Sequence, residues 1–306
     1  MAMDSKESSA AVLSTWPVQS HQDSQASPNH ETAFAFVGFF LKKCQQLSVL
    51  DSQMKILLLR GLLRDKRHWG NFPEILDQSL GGKYHIELLD LPGIGTEISR
   101  PFPLNMDEVV HDLRRRSGVI DNREELLIVS NSLGSMISMH WAALYPEDIK
   151  GLVLMNTSAS NLSNLKERLS VKALQVFAKV VASKDPVERE RLILSIVSRR
   201  YGNDLEQAKT WSEYALTHKE MLELGMRQLW VASRFELVAP LEVPSLMLCS
   251  TQDELIDPVA CMKVAKALGA DQRFNHKGGH DLPLDEPEWI GQEINQWLQL
   301  FSSSTD

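Results

Sequence analysis

From Lys55 onward the chain repeats short, continuous apolar runs separated by stretches of helical periodicity, and no other feature restricts its fold as much. The runs are KILLL (55 to 59), HIELLD (85 to 90), ELLIVS (125 to 130), GLVLMN (151 to 156), PSLMLCS (244 to 250) and QRFNH (272 to 276). A strand with one wet face alternates apolar and polar residues, and most of these runs do not alternate. They therefore predict strands buried on both faces, in a parallel sheet covered by helices. NMDEVVHDLRRR (105 to 116) and SMISMHWAALY (135 to 145) supply such helices, and residues 287 to 301 space Ile290, Ile294, Trp297 and Phe301 along one face. The expected class is α/β, with a mostly parallel, doubly wound sheet.

The strand rhythm stops between Thr157 and Pro240, where only helical patterns remain. Leu165, Leu169, Ala173, Phe177 and Val180 recur at three- and four-residue spacing. Asp185 as a cap, Pro186 at the first helical position and Glu188 three residues after the cap mark a second helix start. Residues 160–240 are read as a helical cap or lid inserted in a core made of 51–159 and 241–306. Residues 1–50 form an N-terminal extension; its first 31 residues, rich in Ser and Gln, offer too little apolar surface to offset ordering entropy and are expected to be disordered. Met54 is a candidate start of the fold. The aromatic run AFAFVGFFL (33 to 41), a candidate helix or strand lying on the sheet, is far shorter than the roughly 20 residues a membrane-spanning helix needs. It also follows a long polar stretch, unlike a secretory signal.

The formal net charge of −8 and the absence of any basic run beyond RRR at 114 to 116 argue against a nucleic-acid or anionic-membrane partner. Cys44, Cys249 and Cys261 are widely spaced and form no CxxC pair, and no histidine cluster has zinc spacing. Neither a disulfide framework nor a structural metal is expected, and a reducing cytoplasm fits best. LPGIG (91 to 95) lacks the spacing of a nucleotide-binding loop.

Three segments carry chemistry. A serine hydroxyl becomes a nucleophile only when a base takes its proton, and the attacked carbonyl needs donors for its developing charge. LIVSNSLG, a strand, a tight turn and a helix start, presents Ser132 as a G-x-S-x-G elbow in which Ser130 stands for the first glycine. The bland alternative is a serine that caps a helix. Asp253 follows the strand PSLMLCS, at the strand end where open α/β sheets place ligands. His280 follows two glycines in the loop that leads to the final helix. The order Ser, Asp, His, each after a strand, turns three ordinary loop residues into a joint signal. His276, His140 and Asp257 are weaker candidates, read as solvated, as packing, and as outside the motif position.

With these motifs in order, the chain resembles the α/β-hydrolase superfamily from about residue 54 to residue 300. LLLRGLL is similar to the oxyanion segment, LLDLPGIGTEISRP to the loop after the second strand, VSNSLGSM to the elbow, TQDELIDP to the acid turn and GGHDLPLDEPE to the histidine loop. The resemblance implies Ser132 as nucleophile, His280 as general base and later acid, Asp253 as the orienting carboxylate, and the backbone N–H groups of Leu62 and Leu133 as the oxyanion hole. It implies hydrolysis of a small ester or related acyl bond by way of an acyl-enzyme, with water as second substrate and no metal or organic cofactor. C–C bond hydrolysis, acyl transfer and non-catalytic ligand binding remain alternatives in the same fold. The chain departs from the pattern at Arg60, where the family has His, and at Ser135, where a second glycine is frequent. Arg60 has two open roles, anchoring its loop or reaching the pocket to favour an anionic substrate. Further pocket candidates are Arg67 and His68 at the entrance, Asn131 beside the nucleophile, and Phe177 and Trp211 in the lid.

Overall fold

The computed structural model describes residues 54–122 and 125–302. The expectations for residues 1–53 lie outside the described residues. Six strands form one sheet: β1 (Met54–Leu59), β2 (His85–Leu89), β3 (Glu125–Asn131), β4 (Ile149–Met155), β5 (Ser245–Ser250) and β6 (Asp271–Asn275), in the order β2-β1-β3-β4-β5-β6. Every pairing is parallel. β1 and β5 are buried at every position, which explains their unbroken apolar runs, whereas the edge strands β2 and β6 are partly exposed. The winding direction reverses between β1 and β3, so their carboxyl ends flank a crevice of the kind in which doubly wound sheets bind ligands.

The longer helices are α1 (Phe72–Ser79), α2 (Met106–Arg116), α3 (Leu133–Leu144), α4 (Val171–Ala182), α5 (Pro186–Val197), α6 (Leu205–Ser212), α7 (His218–Arg234), α8 (Pro258–Leu268) and α9 (Pro287–Ser302). The period-two geometry of each strand sends alternate side chains to opposite faces. Leu57, Leu59 and Ile128 pack with α2, α3 and α8, and Ile56, Leu58 and Val129 pack with α1 and α9. As the spacing predicted, Ile290, Ile294 and Trp297 of α9 are fully buried on the sheet.

Helices α4 to α7 lie between β4 and β5 and hold a small core of their own, which includes Val176, Leu194, Ala208 and Trp211. The periodic stretch from Leu165 to Val180 is divided into a single turn, Leu165–Arg168, and α4, because Ser170 leaves the helix to accept a hydrogen bond from Ala173 N (3.0 Å). Asp185 caps α5 through Val187 N (3.0 Å), while Glu188 pairs with Arg191 instead of closing a capping box. Thr217 and Glu220 form a reciprocal capping box at the start of α7.

The cysteine reading requires correction. Cys249 on β5 and Cys261 on α8 form a disulfide, because α8 folds back on the strand it follows and brings their Cα atoms to 6.2 Å. The pairing removes the argument from unpaired cysteines for a reducing compartment. Among the described residues no helix is long and apolar enough to cross a membrane.

The packing sets a test of the α9 interface. Ile294→Ala, at a fully buried position, should cost about 2–5 kcal/mol in urea unfolding. Leu300→Ala, on the exposed side of the same helix, should stay within about 0.5 kcal/mol. Equal losses would mean that α9 does not dock as described.

Candidate active site

Ser132 joins β3 to α3 with φ 56° and ψ −115°, a backbone region that non-glycine residues avoid. Its side chain makes no capping bond to α3, so the hydroxyl is not spent on the helix. The turn is held through its backbone: Ser132 N donates to Met155 O (2.9 Å), and Thr157 Oγ1 donates to Ser132 O (3.1 Å). Gly134 is required by close approach, since a Cβ there would lie 2.5 Å from Leu59 O at the end of β1. The two serines that replace glycines are coupled beneath the turn. Ser135 Oγ donates to Ser130 O (2.8 Å) and accepts from Met155 N (3.2 Å), and Ser130 Oγ donates to Ser135 Oγ (3.3 Å).

Asp253 sits in the turn after β5. Its Oδ1 accepts from Leu255 N (2.8 Å) and Ile256 N (3.0 Å), and its Oδ2 accepts from His280 Nδ1 at 2.7 Å. Two backbone donors fix the carboxylate, and the carboxylate fixes the ring. The histidine loop runs against the carboxyl end of α5: Asp281 N donates to Val197 O (2.7 Å), and a Cβ on Gly279 would lie 2.8 Å from that same oxygen. Asp285 closes this junction by accepting from Gly279 N (2.7 Å), Arg199 N (2.8 Å) and Ser198 Oγ. Burial pushes the Asp285 carboxyl above its ordinary pKa, against the pull of those donors.

Asn156, which the sequence reading did not single out, connects these loops from the end of β4. It is buried, with φ 43°. Its Nδ2 donates to His280 O (2.9 Å) and Gly279 O (3.2 Å), and its Oδ1 accepts from Ser250 N (2.8 Å) at the end of β5. One amide thus ties the strand before Asp253 to the backbone of His280. An Asn at a strand end is an ordinary turn former, and nothing in the sequence marks this one.

Arg60 takes the anchoring role. Its Nη1 and Nη2 donate to Asp281 Oδ1 (3.0 Å) and Oδ2 (2.5 Å), and its guanidinium lies 4.8 Å from the Trp69 ring centroid. Burial alone raises the pKa of Asp281, but the charge and hydrogen bonds of Arg60 outweigh it and hold the carboxyl below its ordinary value. The next turn of chain is bound to the inserted helices: Leu63 N donates to Gln228 Oε1 (2.8 Å) on α7, and Arg64 Nη2 pairs with Glu190 Oε2 (2.8 Å) on α5.

Ser132 and His280 share the wall of a cavity of about 190 Å³. Arg60, Arg64, Asn131 and Asp281 line it together with apolar Phe177, Val180, Ile193, Val197, Met221 and Leu222 from the inserted helices. Three residues proposed for the pocket from sequence line other surroundings. His68 packs edge-on against Trp211 and Tyr214, Trp211 lies under Arg64 within the core of the insertion, and Arg67 covers Tyr214 and pairs with Asp65. Burial, and then the charge of Arg64, lower the pKa of His68 and favour the neutral ring. Amphipathic spacing shows that Trp211 is buried; it does not show against what. His140 pairs with Asp107 (2.5 Å), Asp257 caps α8, and His276 is exposed with Thr251 Oγ1 3.0 Å from its Nδ1.

Among the described residues, the backbone N–H groups of Leu62 and Leu133 have no hydrogen-bond partner, and neither has the Ser132 hydroxyl. The amide of Asn131 also makes no hydrogen bond, although the residue is only 3% exposed and its Oδ1 is wholly buried. An unpaired buried amide costs about 1–3 kcal/mol. No group of three or more His, Cys, Asp or Glu among the described residues is placed to hold a metal ion.

The family model of the alpha/beta hydrolase fold matches residues 56–287, and the chain belongs to that family. It is similar to Lipase 1 of Psychrobacter immobilis, 24% identical over 249 residues that cover 76% of this chain and 72% of the lipase. A 118-residue stretch, 39% of the chain, is 30% identical to the biotin biosynthesis bifunctional protein BioHC of Teredinibacter turnerae, but spans only 20% of that protein. Among solved structures, a thermophilic esterase from Thermogutta terrifontis superposes with a TM-score of 0.64 at 18% identity, covering 81% of this chain and 90% of the esterase.

The Arg60–Asp281 pair predicts a pH signature. With Arg60 present, the folded pKa of Asp281 lies below its unfolded value, so its stabilisation holds above the unfolded carboxylate value and fades as pH falls through the folded pKa. Arg60→Met leaves the carboxyl buried without its cation, lifts its folded pKa, and should cost about 3–5 kcal/mol at pH 7. The gap between the two proteins in urea unfolding should narrow as pH is lowered toward about 4. A gap independent of pH would show that the ion pair is not its source.

Proposed function

We propose that the chain is a serine hydrolase that cleaves a carboxylic ester or related acyl bond through an acyl-enzyme, with water as second substrate. One arrangement carries this reading: a hydroxyl left free on a strained turn shares a cavity with a histidine whose far nitrogen is bound to a buried carboxylate. Ser132 Oγ attacks the substrate carbonyl while His280 Nε2 takes its proton. Asp253 holds the ring by Nδ1–H and stabilises the imidazolium that forms. The carbonyl oxygen, now negative, is received by the N–H groups of Leu62 and Leu133. His280 then gives the proton to the departing alkoxide, and Ser132 remains acylated. Water adds to the acyl carbon with His280 again as base, and collapse returns the proton to Ser132. Hydrogen bonds between nucleophile and base are frequently long before substrate binds and tighten in the complex.

In this reading residues 160–240 act as the lid, and residues 51–159 with 241–306 as the catalytic core. The apolar residues that the inserted helices bring to the cavity suit an aliphatic or aromatic acyl group. The name of the Psychrobacter relative, a lipase, agrees with ester chemistry. C–C bond hydrolysis or acyl transfer would use the same three groups with a different substrate. A protein that only binds a ligand would need the cavity but not a strained serine beside a carboxylate-bound histidine.

A fluorophosphonate probe should label the protein once, at Ser132, because an activated serine attacks such electrophiles and ordinary serines do not. Ser132→Ala should abolish labelling, His280→Ala should nearly do so, and Asp253→Asn should slow it by about 10⁴-fold at most. Labelling that survives in Ser132→Ala would overturn the mechanism.

Asn156 supplies a separate check. Asn156→Ala should lower the rate of Ser132 labelling by about 10²-fold, as expected when a base is misplaced by an ångström or so, with less effect on KM for an ester. Unchanged kcat in a folded Asn156→Ala protein would show that the amide does not position His280.

A further inference from the structure

We propose that Gln228, on the inserted helix α7, is a positioning residue for the oxyanion hole: its amide oxygen holds the turn over residues 61–64 in the form that leaves the Leu62 N–H to the cavity. This inference rests on the hydrolase reading above and adds to that site a residue that touches no substrate. Arg64 N donates to Gly61 O (3.3 Å), which closes a β-turn with Leu62 and Leu63 at its centre. The closing bond of such a turn uses neither central N–H. Leu62 lines the cavity, and the Leu63 N–H goes to Gln228 Oε1 (2.8 Å). Leu63 has φ 58°, at a position where turns with positive φ take glycine or asparagine. A leucine in that region is strained and stays there only if its surroundings hold it.

What holds it comes from the insertion. Gln228 is wholly buried, and its Nε2 has no partner among the described residues. An apolar side chain of the same shape would fill that space without leaving an amide unpaired, so packing alone does not account for a glutamine there. The bond to Leu63 N does, and it also sets which way the amide lies, because an N–H donor requires the oxygen. Leu63 packs against both the sheet core and the core of the insertion, and its Cδ1 would lie 3.5 Å from a Cβ on Gly225, one turn before Gln228 on the same face of α7. Arg227 Nη1 donates to Phe102 O (3.0 Å) and so ties α7 itself to the core. Without an acceptor at 228, rotating the peptide between Leu62 and Leu63 would relieve both the unpaired N–H and the positive φ. The turn would then no longer hold Leu62 in one orientation.

The test compares the full chain with Gln228→Leu, similar in shape but without the acceptor. Losing an oxyanion donor outright costs about 10²–10³-fold in kcat, and a donor that is present but no longer aimed should cost about 10- to 10²-fold. For a nitrophenyl ester KM should change by less than about threefold, the pattern of an interaction made only in the transition state. A trifluoromethyl ketone gives a second readout: Ser132 Oγ adds to its carbonyl carbon, the proton passes to His280, and the carbonyl oxygen becomes an anion that needs the hole. Its affinity should fall with kcat, whereas that of the matching secondary alcohol, which forms no adduct, should hold. If Gln228→Leu keeps kcat within about twofold, raises KM alone, or weakens ketone and alcohol equally, the residue only packs and the proposal falls. Hydrogen exchange on the unsubstituted protein decides even if the variant does not fold: the Leu63 amide should exchange as slowly as the central amides of α7, and exchange at the rate of an open loop would overturn the bond. Labelling of Ser132 by the fluorophosphonate separates the two readings: a labelled protein whose kcat is indifferent to Gln228 loses only this inference, whereas an unlabelled protein loses the hydrolase reading with it.

Discussion

The backbone of Ser132, at φ 56°, is the constraint around which the rest of the molecule is arranged. Such a conformation costs a non-glycine residue about 1–3 kcal/mol and persists only where its surroundings leave no alternative. Here they leave none. β3 is central in a parallel sheet and fixes the entry to the turn, α3 leaves it in contact with the end of β1, and the absence of a Cβ at Gly134 permits that contact. Met155 O and Thr157 Oγ1, from β4 and the residues after it, hold the peptide groups on either side. The strain is therefore imposed by long-range packing, which is why the hydroxyl is turned toward the cavity and not used on the helix it precedes.

The second level of organisation is a set of buried polar ties among loops that would otherwise move independently. Asn156 joins the end of β5 to the histidine loop, Asp285 joins that loop to α5, and Gln228 and Glu190 join the inserted helices to the turn after β1. Buried ion pairs add little net stability, since desolvation offsets most of their attraction, yet removing one partner is expensive. Their effect is to select one arrangement. The insertion is thus more than a cover over the sheet: through Gln228 and Glu190 it holds the chain just after Leu62, while Asp281 of the histidine loop holds Arg60 before it.

The sheet was legible because its central strands are buried on both faces, which removes the alternation that would have blurred their limits. Five of the six predicted strands agree with the structure to within a residue at each end; β4 starts at Ile149, two residues before the apolar run, where Lys150 pairs with Glu125. Ser132, Asp253 and His280 were legible as motifs because each follows a strand in a set order. What was not legible depends on partners distant in the chain. Asn156 bonds to groups 94 and 124 residues away, and no local pattern encodes that. The same limit hid the Cys249–Cys261 pair, set by the return of α8 to its own strand, and sent Trp211 to the pocket when it belongs to the core of the insertion.

Arg60 shows how one substitution within a motif can change what a cavity accepts. Its side chain is long enough to leave the end of β1, lie along Trp69 and clasp the carboxylate next to His280 with both terminal nitrogens. A histidine at that position has no parallel pair of donors to match a carboxylate. The fork that anchors the histidine loop is itself neutralised by that carboxylate, so the residue that raised the prospect of an anionic substrate offers no free cation to one. With Arg64 neutralised in the same way by Glu190, these two pairs bring no net charge to the cavity. In the proposed mechanism, the charge that develops on the substrate oxygen then falls to the backbone donors of Leu62 and Leu133, whose positions are set by the elbow and by the inserted helices, and not to any free cation in the wall.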